Sequence, residues 1–191
     1  MTYNPSVQTI LFGRDVDQKI TNQEVWTATL LFVGMDVLTL APLPFVLHDV
    51  YPAEFLKPIG LAGAVFWGML VIFFLFKGWD LYYRFFYPTW VRWFAPLDIP
   101  LYGAIGLGMW WLACQLPGIN IFWFILFGGI EGLAEHVLGI YGFHILDKVP
   151  WLKDVKVLPA LVFSIFEYIF YWTVVAWLAF GLLKLHERVN M

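Results

Sequence analysis

The sequence predicts an all-α bundle of five membrane-spanning helices, with the N-terminus on the cytoplasmic side. Three observations carry this. Charged residues make up only 13% of the 191-residue chain, about half the usual share in a soluble domain. Hydrophobic residues reach 61% and aromatic ones 20%, more apolar surface than a soluble fold of this size can enclose. The apolar residues also fall in runs near the roughly 20 residues that a helix needs to cross a bilayer.

The first span is expected at about 25–47. It opens on Thr21-Asn22-Gln23-Glu24, a capping-box pattern, and Pro42 and Pro44 should kink its far end. The second is expected at 58–80, beginning at Pro58. From Ile99 to Ile130 there is no charged residue, too long a stretch for one helix, and Pro117-Gly118 divides it into a hairpin. The third span is then 100–116, with Pro100 suited to a first turn, and the fourth 120–146, stopped by Pro150. The fifth is 157–183. No repeat or linker interrupts the chain, so 1–191 reads as a single membrane domain. The first 22 residues carry Arg14, Asp15, Asp17 and Lys19. They are too polar for a cleavable signal, and the first span should itself direct insertion.

Basic residues set the orientation. The N-terminal side would hold Arg14, Lys19, Lys77, Arg84, Arg92, Lys148, Lys153 and Lys156. The other would hold Lys57, Lys184 and Arg188. The richer side is the cytoplasm, and the expected location is the cell membrane as a multi-pass protein. The aromatic-rich segment from Lys77 to Asp98 reads as an interfacial belt, or else as a portal for a lipophilic molecule or a dock for a subunit. A net charge of −3 gives no reason to expect nucleic acid, and the single Cys114 excludes a disulfide framework and a Cys-based zinc site.

Chemistry concentrates in the fourth span. At about 100° per residue, one face collects Gly128, Gly132, Gly139 and Gly142 together with Glu131, Glu135 and His136. Ile130, Leu133, Val137, Ile140 and Tyr141 take the lipid side. A glycine face lets another backbone come close, so the acids should point into the bundle. The glycines of 103–108 read as helix packing and not as a phosphate loop.

Asp36 in the first span and Glu167 in the fifth add two more intramembrane acids. Counted from the cytoplasmic ends, Asp36, Glu135, His136 and Glu167 lie roughly 16–18 Å deep, and Glu131 about 24 Å. An unpaired charge at mid-membrane costs at least about 2.5 kcal/mol. These acids must therefore carry protons or surround a cation. Structural hydrogen bonding across helices, with Thr29, Thr39 and Ser164 as partners, is the plainer alternative.

The candidate site is thus Asp36, Glu131, Glu135, His136 and Glu167. Glu135 and Glu167 would donate and accept protons, His136 would shuttle them, and Asp36 and Glu131 would tune or complete the site. Carboxylates with imidazole also suit a divalent metal, held by Glu131, Glu135, His136 and Glu167. His48, His144 and His186 fall near span ends and read as interfacial. Phe163, Phe170 and Tyr171, with Trp110 and Trp111 at similar depth, could stabilise a cationic intermediate. These features point to a membrane-embedded enzyme acting on a lipid-soluble, isoprenoid-like substrate, by acid–base or metal-assisted chemistry. A cofactor-binding or accessory subunit of a larger membrane complex and a proton or cation transporter are the alternatives. The expected partners are the bilayer, a lipophilic ligand, and further copies of the chain or other membrane subunits.

Overall fold

The structure is a computed structural model that describes residues 21–76, 95–143 and 155–190, and all regular structure among them is helical. The helices are α1 (Asn22–Leu40), the short α2 (Leu43–Val46), α3 (Pro52–Phe76), α4 (Ala95–Ala113), α5 (Asn120–Val137) and α6 (Val157–Val189). A single π-helical turn, Leu138–Gly142, continues α5. Among the described residues, four stretches are long and apolar enough to cross a membrane: Asn22–Val46, Pro52–Val71, Asn120–Gly142 and Val157–Val189. The chain is therefore compatible with an integral membrane protein. α4 is as long as α1 but opens on Pro96, Asp98 and Pro100.

Local sequence explains the helix ends. The Thr21 side chain accepts from the Glu24 amide at 3.3 Å, and the Glu24 carboxylate accepts from the Thr21 amide at 2.8 Å, completing the capping box. α1 stops at Leu40, and the prolines carry the chain through a turn into α2. Gly118, at φ +101°, turns the hairpin between α4 and α5, and the Trp123 indole donates to the Pro117 carbonyl at 2.8 Å. Pro58 and Pro100, expected to open their helices, do not. Each sits inside one. α3 starts earlier because Pro52 and Glu54 suit a first turn and Phe55 packs in the core against Trp110. The aromatic segment 77–94, His144 and the loop bearing Lys148 and Lys153 lie outside the described residues.

From α3 onward the long helices alternate in direction. Pro52 meets Trp110 and Gly63 meets Tyr102 between α3 and α4. Phe124 meets Trp110 and Glu135 meets Tyr102 between α4 and α5, and Gly128 meets Trp172 and Gly132 meets Tyr168 between α5 and α6. α6 packs against α1, α3 and α5. Asn22 accepts from the Lys156 amide at 2.8 Å and Phe32 rests between Phe163 and Phe170, so α1 and α6 run parallel. α3 and α4 cross backbone to backbone. A Cβ on Gly63 would meet the Tyr102 carbonyl at 2.8 Å, and one on Gly103 the Gly60 carbonyl at 3.0 Å. Gly103 and Gly106 of α4 are packing residues, as expected, but Gly108 is not.

α5 meets α6 through Gly128 and Gly132. A side chain at either would occupy the space of Trp172 or Tyr168. Ile130 and Tyr141 are exposed, as the lipid-side assignment requires, but Ile140 is only 8% exposed. The π turn is the reason: it holds more residues per turn than an α-helix, so extrapolation at 100° per residue goes out of phase beyond Val137. The same slip leaves Gly142 exposed while Gly139 stays buried.

Gly132→Ala should therefore lower thermal stability in detergent by the equivalent of about 1–3 kcal/mol, the usual penalty for overpacking. Gly108→Ala, where a Cβ would meet nothing within 4 Å, should not. Equal melting of the two variants would show that the α5–α6 contact is wrongly placed.

Candidate functional site

The close approach of α5 to α6 gathers the polar residues. With Tyr168 lying over Gly132 and Trp172 over Gly128, the carboxylates one turn apart on α5 are brought to the polar tips of those rings. Glu135 Oε2 accepts from the Tyr102 hydroxyl at 2.7 Å and the Tyr168 hydroxyl at 2.5 Å. The two phenol oxygens are 3.2 Å apart. Each phenol has one hydrogen, and both converge on one carboxylate oxygen. α4 thereby joins α5 and α6 at a single atom.

Glu131 lies a turn away on the same face, in electrostatic contact with Glu135, and its Oε2 accepts from the Trp172 indole at 3.1 Å. On α6, Glu167 is 7% exposed and its Oε1 accepts from the Tyr171 hydroxyl at 2.9 Å. His136 is 8% exposed. Its Nδ1 lies 2.9 Å from the Gly132 carbonyl. A carbonyl only accepts, so Nδ1 carries the hydrogen and Nε2 is the atom left to gain or lose a proton. Nε2 faces Glu167 Oε2 at 3.8 Å. Ring faces wall the cluster: Trp67 stacks on Tyr102 at 4.3 Å, and the His136 ring stands edge-on to Tyr168 at 5.5 Å.

Four of the five candidate residues thus share one neighbourhood: Glu131, Glu135, His136 and Glu167. Asp36 stands apart. Phe32 sits between Phe163 and Phe170, which puts Asp36 near residue 170 of α6, about one turn or roughly 5 Å beyond Glu167. Neither carboxylate oxygen of Asp36 has a hydrogen-bond partner. Counting from the cytoplasmic ends hid this offset, because the first span was counted from Glu24 while Asn22 is the residue level with Lys156.

Among the described residues no group of three or more His, Cys, Asp and Glu side chains is arranged to hold a metal ion. The expected set of Glu131, Glu135, His136 and Glu167 does not converge. Glu131 is turned to an indole and Glu135 to two phenols. Only His136 and Glu167 face each other. The structural partners expected for the acids are also committed elsewhere: Thr29, Thr39 and Ser164 donate to carbonyls of their own helices at 2.9, 2.7 and 2.8 Å. Among the aromatics, Phe163 and Phe170 belong to the α1 contact. Trp110 bonds the Pro52 carbonyl at 2.8 Å, about 12 Å along α4 from Tyr102, and Trp111 is exposed. Tyr171 alone of that set touches the site.

The sequence pattern did not single out Tyr102, Tyr168 or Trp172. The available signal was the polar tip of each ring, since a buried phenol or indole in an apolar medium needs a partner. Nor did it single out Asp98, a turn before Tyr102 and within electrostatic reach of Glu135. No protein-family model, curated protein or solved structure matches the chain.

If the phenols hold Glu135, Tyr168→Phe and Glu135→Ala should be coupled. A double-mutant cycle on unfolding in detergent should give an interaction energy on the order of 1–2 kcal/mol. Additive effects would mean that the two side chains do not interact.

Proposed function

We propose that the protein is an integral membrane protein of five spans, with its N-terminus in the cytoplasm, and that its intramembrane site performs acid–base chemistry on a lipid-soluble substrate. The observation that carries this reading is the convergence of two phenol hydroxyls on one carboxylate oxygen of Glu135 beside the His136–Glu167 pair. These are groups able to exchange protons, lined by aromatic faces, with Glu135 itself open to the bundle surface. Among the described residues no Lys or Arg pairs with these acids, so nothing there fixes them permanently as ions.

Glu135 is the group placed to meet substrate. Its Oε2 is held by Tyr102 and Tyr168, and its side chain belongs to a residue exposed at the bundle surface. In its protonated form it donates to one carbon of a substrate double bond. The resulting carbocation is stabilised by nearby ring faces, of which Tyr102 and Tyr168 are nearest. Loss of a proton from a neighbouring carbon to a second basic group restores the alkene in a new position. His136 Nε2, backed by Glu167, is suited to take that proton. No electron acceptor is needed, since the net change is an isomerisation or ring closure. Glu131 is held by Trp172 and adjusts the field at Glu135.

Deuterium incorporation tests the chemistry whichever lipid is the substrate. Reconstituted protein incubated in heavy water with a mixture of polyprenols, carotenes and quinones should yield lipids carrying added deuterium by mass spectrometry. Glu135→Gln, which keeps size and hydrogen bonding, should abolish the label. His48→Ala, at an exposed turn, should not. No labelled lipid, together with stoichiometric co-purification of other membrane chains, would replace the enzyme by a subunit of a larger complex.

The orientation rests on eight basic residues against three and on the alternating helices. In a Cys114→Ser background, a cysteine at Gln23 should be labelled only from the cytoplasmic side and one at Glu187 only from outside. Labelling of both from one side would refute five spans.

A further inference from the structure

The α1–α6 contact holds a second polar pair that the acid–base cluster does not use. On α1, the buried residues Val25, Ala28, Thr29, Phe32 and Asp36 form one stripe. Phe32 packs on Phe170 at 5.7 Å, and the Trp177 indole donates to the Thr39 carbonyl at 2.9 Å. Asp36 lies between Phe32 and Thr39, and Thr173 lies between Phe170 and Trp177. With Phe32 also packed on Phe163, these contacts place Asp36 near the level of Phe170, within about one turn of Thr173 along the seam.

Both residues are enclosed, Asp36 at 5% exposure and Thr173 at 0%. Both oxygens of the Asp36 carboxylate lack a hydrogen-bond partner, and so does the Thr173 hydroxyl. Thr173 departs from its peers in this respect. Within the described helices, Thr27, Thr29, Thr39 and Ser164 all donate to a carbonyl of the preceding turn. That is the default for a hydroxyl in an apolar helix, and Thr173 does not take it. The pair thus presents three oxygens with open lone pairs in a dry setting.

We propose that Asp36 and Thr173 form a binding site for a small monovalent cation, sodium or proton, separate from the Glu135 cluster. A lone carboxylate at this depth needs a positive partner. Water could donate hydrogens to it but would leave its charge uncompensated. A divalent ion would leave one positive charge over, with a single acid to meet it. One unit of positive charge on oxygen ligands matches the pair. The titratable groups facing this level from α6 are Glu167 and Tyr171, which already bond each other, and α1 carries no ionisable residue but Glu24 and Asp36. Neither helix supplies a built-in counter-charge there.

The full-length protein in detergent provides the test. Its unfolding temperature would be measured in sodium against N-methylglucamine at fixed pH, and in N-methylglucamine at pH 5.5 against 8.5. For sodium, the parent should be stabilised by several degrees, Asp36→Asn should lose the effect, and Thr173→Val should need at least threefold more sodium for half of it. For the proton, sodium should have no effect. The parent should then be more stable at pH 5.5, the Asp36→Asn variant should lose that difference, and Thr173→Val should reduce it. If Asp36→Asn does not fold, the Thr173→Val shift decides. A parent with neither response, or variants that match the parent in both, would overturn the site. The outcome is independent of deuterium labelling at Glu135.

Discussion

The arrangement depends on how closely α5 and α6 approach. Gly128 and Gly132 leave no side chain between the helices, and the rings of Trp172 and Tyr168 fill the space where side chains would stand. In lipid the hydrophobic effect does not press helices together, so such close packing and the hydrogen bonds it permits hold the pair. Here both act at once. The contact that seats the rings also aims the Tyr168 hydroxyl at Glu135 and the Trp172 indole at Glu131. The second phenol, Tyr102, comes from α4, whose own position is set by the backbone contact of Tyr102 and Gly103 with Gly60 and Gly63 of α3. Two glycine-lined crossings therefore converge on one carboxylate.

Donors around the acids are aromatic and neutral among the described residues: phenols and an indole, with His136 the one group able to gain charge. A lysine or arginine in their place would hold each acid permanently as an anion. Phenols and indoles provide hydrogen bonds without fixing the charge state, which is what a site that gives and takes protons needs. His136 adds direction, since its Nδ1 hydrogen is committed to the Gly132 carbonyl and only Nε2 faces Glu167. Asp36 has no such donors and sits in a different seam. The helical acids thus form two groups whose surroundings differ in kind.

Much of this was legible in the residues. Composition and apolar runs gave the helices, Pro117-Gly118 the hairpin, and the Thr21–Glu24 box the start of α1. The glycine spacing located the face of α5 that meets α6, and with it Glu131, Glu135 and His136. What stayed hidden follows from physical limits of a one-dimensional reading. Pro58 and Pro100 looked like helix starts because proline favours a first turn, but the residues before them extend the helices by more than a turn. Ile140 was misplaced because no sequence rule signalled the π turn. The phenol donors were hidden among many aromatics. Only three-dimensional packing separates Tyr102, which meets an acid, from Trp111, which faces outward. Among the described residues no metal-holding arrangement forms, for the same reason: ligand-type residues share a face and a depth, but their carboxylates turn to different donors.

The central claim is that Glu135 and Glu167 sit in a proton-exchanging network held by phenols. Infrared difference spectroscopy between pH 5 and 9 addresses it directly, because carboxyl groups absorb differently when protonated, ionised or hydrogen-bonded. The parent protein should show carboxyl bands that vanish one at a time in Glu135→Gln and Glu167→Gln. The Glu135 band should shift in Tyr168→Phe, while the Glu167 band shifts in Tyr171→Phe. If the Gln variants reproduce the parent spectrum band for band, these carboxyls do not exchange protons, and they are hydrogen-bonding struts between helices.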